Sequence, residues 1–270
     1  GHSEELIGKV LKERREEIYV ATKVPPREAK WPPPDDSDPL KFFPPQYLIE
    51  RCEGSLRTLQ RDYIDIYQFH TWATSFNIRD EWFEAMRKLQ AQGKIRAIGV
   101  SVPDTTPDNV IGALALDKVQ SVQVIYNIFE QYPQWNLFPV CEKLGIGVIV
   151  RVPFDEGALT GKYTAQTIFP EGDVRRHYFR GRNLPAVVER VEKVREFKNK
   201  RHPNMSMAEY ALRFCLSHTA VNTVIPGIRS VQQAEMNLAA SDGKWLDAEE
   251  LEELKPFAWR KDFWHEEMKA

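Results

Sequence analysis

Apolar positions along the chain repeat with two different periods. Short runs such as Tyr63-Ile64-Asp65-Ile66-Tyr67-Gln68-Phe69-His70, Ile95-Arg96-Ala97-Ile98-Gly99-Val100-Ser101 and Gly147-Val148-Ile149-Val150-Arg151-Val152-Pro153 are dense in β-branched and aromatic residues. They read as buried strands of a parallel sheet. Between such runs apolar residues return every three or four positions, which is the helical spacing. Ser3 is placed as the N-cap of an opening helix whose Leu6, Ile7, Val10 and Leu11 form one face. A strand over 17–24 follows, then a loop with prolines at 25, 26, 32, 33, 34, 39, 44 and 45. A loop of that length reads as a functional one, with disorder as the plain alternative. Helices are expected over 47–59, over 79–92 with Gly93 as the stop, around Val110 to Leu114, and over 137–144. Another strand is expected over 122–127. An insertion then carries two helices. One holds Val187, Val191 and Val194, and the other opens with the capping box Ser206-Met207-Ala208-Glu209. Val224-Ile225-Pro226-Gly227-Ile228-Arg229-Ser230 reads as a strand, a turn and a helix start. Asp247 caps a last helix that ends near Pro256.

Six strands, each followed by helix, imply a parallel sheet with right-handed crossovers. A doubly wound sheet and a (β/α)₈ TIM barrel both fit that α/β alternation. Polar residues gather at the C-terminal strand ends: Lys23, His70, Ser101, Gln123 with Asn127, Arg151, and Arg229 just beyond. In a barrel these ends ring one mouth, which favours the barrel. Six strands are two fewer than eight, and the chain opens on a helix. The expectation is therefore one domain over 1–270, incomplete at its N-terminus, with the first two strands missing.

Composition narrows the partners. Of the 270 residues 42% are hydrophobic, enough for one large core or two modest ones. The net charge is −2, without a long run of one sign, so neither nucleic acid nor a membrane surface is an expected partner. No apolar run reaches transmembrane length and no signal peptide is read, so a cytoplasmic location is expected. Cys52, Cys141 and Cys215 lie in helical patterns and read as buried thiols of a reducing compartment. His2, His177, His202, His218 and His265 show no ligand spacing with Cys or acids, so no metal is expected. Oligomeric state is not readable from the chain.

Lys23 and His70, on neighbouring strand ends, are suited to polarising a carbonyl oxygen. A solvated strand-end Lys and a satisfied core His remain the plain alternatives. Ser101 and Gln123 are neutral hydrogen-bonding groups that suit an amide, and Arg151 has a planar face for an aromatic ring. Arg229 and Ser230 sit at a helix start, with Gln233 and Asn237 one and two turns along the same face. That is a good phosphate site, and it is also an ordinary capped helix. An amide on a ring, with phosphates at a distant helix start, describes a nicotinamide dinucleotide.

In order along the chain these pieces resemble the aldo-keto reductase family, in its bacterial and channel-β-subunit-like branch. Gly1-His2-Ser3-Glu4-Glu5-Leu6-Ile7-Gly8 resembles the end of the family's Tyr-Gly-x-x-x-Ser-Glu segment. Val20-Ala21-Thr22-Lys23 resembles the strand of the catalytic Lys, and Asp65-Ile66-Tyr67-Gln68-Phe69-His70 that of the catalytic His. Gly99-Val100-Ser101 and Gln123-Val124-Ile125-Tyr126-Asn127 resemble the strands whose Ser and Gln bind the carboxamide. The run from Arg151 to Lys162 resembles the loop over the pyrophosphate, with Arg151 stacking on the nicotinamide. Ile225-Pro226-Gly227-Ile228-Arg229, with Gln233 and Asn237, resembles the adenosine 2′-phosphate site.

The resemblance implies a (β/α)₈ barrel, NADP(H) as coenzyme, a small carbonyl substrate, and no metal. It implies Lys23 and His70 as catalytic residues. It implies Ser101, Gln123, Arg151, Pro153, Phe154, Gly157, Leu159, Gly161, Lys162, Arg180, Gly227, Arg229, Gln233 and Asn237 as coenzyme ligands. The family's catalytic Asp and Tyr fall in the segment ahead of Gly1, and Tyr19, Tyr63 and Tyr67 do not take their place. Val102 stands where the family has Asn, Met236 where it has Glu, and Asp155 and Glu156 place two acids in the phosphate loop. A nucleotide-binding protein without turnover and a fragment with open sheet edges are the competing readings. Trp31, Trp72 and Phe76 either wall a substrate pocket or pack under their loops. The aromatic tail Trp259–Trp264 either folds back over the barrel mouth or docks on a neighbouring molecule.

Overall fold

The computed structural model describes residues 1–14, 17–28 and 30–266. The chain divides into two compact units, Gly1–Val124 with Asn136–Val148, and Ile125–Trp135 with Ile149–Ala270. Six strands follow one another in chain order: β1 (Ala21–Val24), β2 (Ile64–Phe69), β3 (Ile95–Ser101), β4 (Ser121–Ile125), β5 (Gly147–Arg151) and β6 (Thr223–Ile225). The pairs β1–β2, β2–β3, β3–β4 and β5–β6 are parallel.

The first unit holds helices α1 (His2–Glu13), α2 (Pro39–Phe42), α3 (Pro45–Leu59), α4 (Glu81–Ala91), α5 (Ile111–Ala115) and α6 (Leu137–Leu144). Register fixes which side chains share a face. Lys23 stands beside Gln68, Gln68 beside Gly99, and Gly99 beside Ser121. Two residues on, Ser101 stands beside Gln123. Because side chains alternate across a strand, Val24, Tyr67, Phe69, Ile98, Val100 and Val122 occupy the other face. All six are fully buried. Phe69 meets Phe43, Trp72 and Trp82 edge to face at centroid distances of 4.9, 5.3 and 5.2 Å. Each such ring stabilises the fold by about 1.5–3 kcal/mol through burial alone. The indoles also find acceptors: Trp72 Nε1 donates to Asn77 Oδ1 and Trp82 Nε1 to the Phe76 carbonyl. Trp72 and Phe76 thus belong to the packing under the long loops. Trp31, half exposed, lies edge-on to His70 at 4.7 Å.

The second unit holds α7 (Arg175–Tyr178), α8 (Asn183–Arg201), α9 (Met207–Leu216), α10 (Val231–Ala239) and α11 (Ala248–Leu254). Val187, Val191 and Val194 of α8 and Tyr210, Phe214 and Cys215 of α9 form its core. Ser206, Ser230 and Asp247 cap α9, α10 and α11 through side-chain oxygens that accept the N–H three residues on.

Some boundaries differ from the sequence reading. Ser3 lies inside α1 and Gly1 takes the cap position. The first strand begins at Ala21 rather than at 17, because the Val20 N–H is taken by the Asp65 carboxylate at 2.8 Å. The proline-rich loop contains α2, whose start is capped by Asp38. The three cysteines are buried and unbridged, as their helical positions suggested.

Candidate functional site

In the first unit, Lys23, His70, Ser101 and Gln123 all project from one face of the sheet, in two successive layers set by the register. Lys23 is half-buried and His70, one residue past β2, is exposed. Ser101 and Gln123 are buried neighbours on adjacent strands. Two residues that the sequence reading passed over join this face. Gln68 and Ser121 are buried, and Gln68 Nε2 and Oε1 and Ser121 Oγ find no hydrogen-bond partner among the described residues. Leaving such a group unsatisfied costs about 1–3 kcal/mol. Gly99 makes room for them, since a Cβ there would stand 2.5 Å from Ser121 Oγ and 2.8 Å from Gln68 Cγ. The period-two spacing of Gln68 and His70 on β2 was the available signal for Gln68. Tyr67 lies on the opposite, apolar face, and burial pushes its hydroxyl pKa well above the usual value. It is not a proton donor beside Lys23.

The second unit contains a cavity of about 630 Å³. One wall is the loop after β5. Val152, Asp155, Glu156 and Gly157 have φ of 55°, 47°, 54° and 97°, so most of this short loop is left-handed. Neighbouring side chains hold it there: Asn127 Nδ2 donates to the Val152 carbonyl at 3.0 Å, and Tyr163 OH to the Glu156 carbonyl at 3.1 Å. Gly157 passes so close to Tyr163 that a Cβ would come within 2.5 Å of its hydroxyl oxygen. The facing wall is the start of α10. Gly227, Arg229, Gln233 and Asn237 line the cavity, and Met236 joins them where the resemblance has Glu. The Arg229 N–H donates to Gln233 Oε1 at 2.8 Å, and the Ser230 cap accepts from the Gln233 N–H.

Pro153, Phe154 and Lys162 also line this cavity. Leu159, Gly161 and Arg180 do not. Leu159 is wholly buried, the Gly161 carbonyl accepts from Arg195, and Arg180 donates to the carbonyls of His177 and Phe263. Arg151 ends β5 in register with Ile225. Asp173 and Arg175 line the cavity too, and the sequence reading missed both. Arg175 forks onto the Asp173 carboxylate, which holds that acid well below the usual range, and Arg229 adds a smaller contribution. Their ion pair spans two residues of an irregular segment and carries no periodic signal.

The cavity fits an anionic nucleotide by its donor set. Two guanidinium groups, three carboxamides, two hydroxyls and a lysine line it, and one of its two acids, Asp173, is already paired with Arg175. Among the described residues, no group of three His, Cys, Asp or Glu is placed to hold a metal ion. None of the helices there is long and apolar enough to cross a membrane.

The family model described as "Aldo/keto reductase family" matches residues 1–258. Among solved structures, the holo form of aldo-keto reductase AKR11C1 from Bacillus halodurans superposes with a TM-score of 0.72 at 31% identity, covering 97% of this chain and 81% of that one. The uncharacterized oxidoreductase YqkF of Bacillus subtilis is 30% identical over 94% of this chain and 78% of its own. Two further relatives differ in the coenzyme they are named for. Aldo-keto reductase yakc [NADP(+)] of Schizosaccharomyces pombe is 29% identical, covering 92% of this chain and 72% of its own. The NADH-specific methylglyoxal reductase of Escherichia coli is 27% identical, covering 92% and 77%. The matched residues and these relatives together place the chain in the aldo/keto reductase family.

Proposed function

We propose that this oxidoreductase uses NADPH to reduce small aldehydes or ketones to alcohols. The observation that carries the reading is the cavity of the second unit, where Arg229 and the capped start of α10 face the left-handed loop. When bound, the nicotinamide supplies a hydride to the carbonyl carbon. The alcohol also needs a proton at its oxygen, which in the family the resemblance points to comes from the Tyr of the segment ahead of Gly1, and binding and orientation fall to the residues of this chain. Arg229 forks onto the 2′-phosphate, with Gln233 and Asn237 as neutral partners. Pro153, Phe154 and Gly157 bring loop backbone to the pyrophosphate, and Arg151 stacks on the ring. Ser101 Oγ and the Gln123 amide hold the carboxamide. Lys23 Nζ stabilises negative charge as it develops on the substrate oxygen, and His70 donates a hydrogen bond that orients it.

Relatives named for NADP(+) and for NADH are both present, so coenzyme choice rests here on Arg229. The test is consumption of NADPH, followed by its near-ultraviolet absorbance, with a panel of small aromatic and aliphatic aldehydes and ketones. Consumption with at least one of them is expected, and none with any overturns the reading. Tight NADPH binding without consumption would select a nucleotide-binding protein.

A further inference from the structure

The C-terminal tail folds back onto its own unit and carries a lysine into the base of the cavity loop. The Lys261 side chain is buried, and its Nζ lies 2.9 Å from Asp155 Oδ1 and 2.9 Å from Glu130 Oε1. Tyr178 OH donates to the same Asp155 oxygen at 3.2 Å. The rings of Phe129, Trp259 and Phe263 surround the ammonium group. Burial disfavours the charge on Lys261, but the two carboxylates outweigh it and raise the lysine pKa above its ordinary value. The tail is anchored on both sides of this point. The Trp259 N–H donates to the Phe129 carbonyl, Arg190 stacks on Trp259 at 4.2 Å, and Arg180 donates to the Phe263 carbonyl at 2.6 Å.

Asp155 sits in the middle of the left-handed loop, and its side chain is buried away from the cavity that Phe154 and Glu156 line. A non-glycine residue at such a φ is held only by its surroundings. A buried carboxylate is held by its counter-charge and becomes costly once that charge is removed.

We propose that Lys261 is a positioning residue for coenzyme binding, in which the tail, through the Lys261–Asp155 pair, clamps the loop Val152–Gly157 in the conformation that presents Pro153, Phe154 and Gly157 to the cavity. The proposal deepens the coenzyme reading of that cavity and rests on it. It turns Asp155 from an unhelpful acid in a phosphate loop into the handle by which the loop is fixed. It also assigns Arg180 to the tail, away from the coenzyme.

The experiment uses the wild-type chain and the variants Lys261→Met, Lys261→Arg, Asp155→Asn and the double variant Asp155→Asn/Lys261→Met. Amide hydrogen exchange of residues 152–161 is measured without coenzyme, and NADPH affinity by fluorescence titration. In Lys261→Met the loop amides exchange faster and NADPH affinity falls about tenfold or more, because the buried Asp155 is left unpaired. Lys261→Arg retains most of the affinity, and the double variant recovers part of the loss by removing both charges. The carbonyl KM at saturating NADPH stays unchanged. Should Lys261→Met fail to fold, Asp155→Asn gives the same readout, with faster exchange in the loop and the tail still held by Glu130. Unchanged loop exchange in Lys261→Met or Asp155→Asn overturns the clamp. So does a double variant no better than Lys261→Met. If the wild-type chain binds no NADPH, the coenzyme reading fails on its own, while the exchange data still decide whether the clamp exists.

Discussion

The first unit sets Lys23, Ser101 and Gln123 on strands, whereas the second, apart from Arg151 at the end of β5, sets its candidate residues on a loop, a turn and a helix start. Lys23, Ser101 and Gln123 are held by ladder register, and a shift of one residue would turn each toward the opposite, apolar face. The packing of Phe69, Trp72 and Trp82 on that face therefore also fixes the polar one. In the second unit no ladder reaches the loop after β5. Its shape depends on Asn127, Tyr163 and Lys261, which come from three separate parts of the chain. The contrast is between positions fixed by the sheet as a whole and positions fixed by a few removable side chains. Substituting Lys23 or His70 should accordingly affect chemistry, and substitutions around the cavity of the second unit should affect coenzyme affinity.

The largest effect is expected at Lys23. Lys23→Met should lower turnover by about 100- to 10,000-fold, the range typical for losing a positioned polar catalytic group. NADPH affinity, measured by titration, should stay near wild type, and a parallel loss of both would break the separation between the units. Trp82→Ala should destabilise the protein by about 3–5 kcal/mol in chemical denaturation, since it removes a fully buried indole from the aromatic cluster. Gly157→Ala is a narrower probe of the loop. It adds a Cβ against Tyr163 at a left-handed φ and should cost about 1–3 kcal/mol, with weaker NADPH binding.

The smallest effect is a dependence on alkaline pH. Burial pushes the Cys52 and Cys141 thiols up to about 12, with nearby Lys94 opposing the shift at Cys52. The unfolded thiols ionise near the ordinary value of 9.0, so above it the unfolded state holds fewer protons than the native one. Their contribution is fully present below about pH 9 and is lost as pH rises toward about 12. Denaturation midpoints should fall between about pH 8 and about pH 10, and substituting both cysteines by alanine should reduce that fall.

The strand-borne residues were legible in the sequence because a two-residue period and a polar residue at a strand end are local signals. Gln68 was the exception: it sits two residues before His70 inside a strand, and its place on the polar face shows only once the register sets Gly99 beside it and Ser121 beyond. The start of α10 was legible for a similar reason, since Ser230 and Gln233 form a local cap. The loop after β5 was legible by its motif but not by its support. Lys261 lies more than a hundred residues further along the chain than Asp155, and no periodicity links them. Arg180 was read as a coenzyme ligand from the resemblance, whereas its guanidinium donates to the tail at Phe263. The Asp173–Arg175 pair was likewise out of reach, because it matters only through a cavity assembled from distant segments.

The most direct test of the central claim is thermal unfolding of the chain alone, with NADPH and with NADH, for the wild type and for Arg229→Ala. A ligand bound to the native state raises the transition in proportion to its affinity. NADPH should raise the wild-type transition more than NADH does, and Arg229→Ala should remove most of that difference, a loss of about 1.5–3 kcal/mol for one charged hydrogen-bonding partner. A wild-type transition that neither coenzyme moves, or an NADPH preference that survives intact in Arg229→Ala, would contradict the assignment of this cavity.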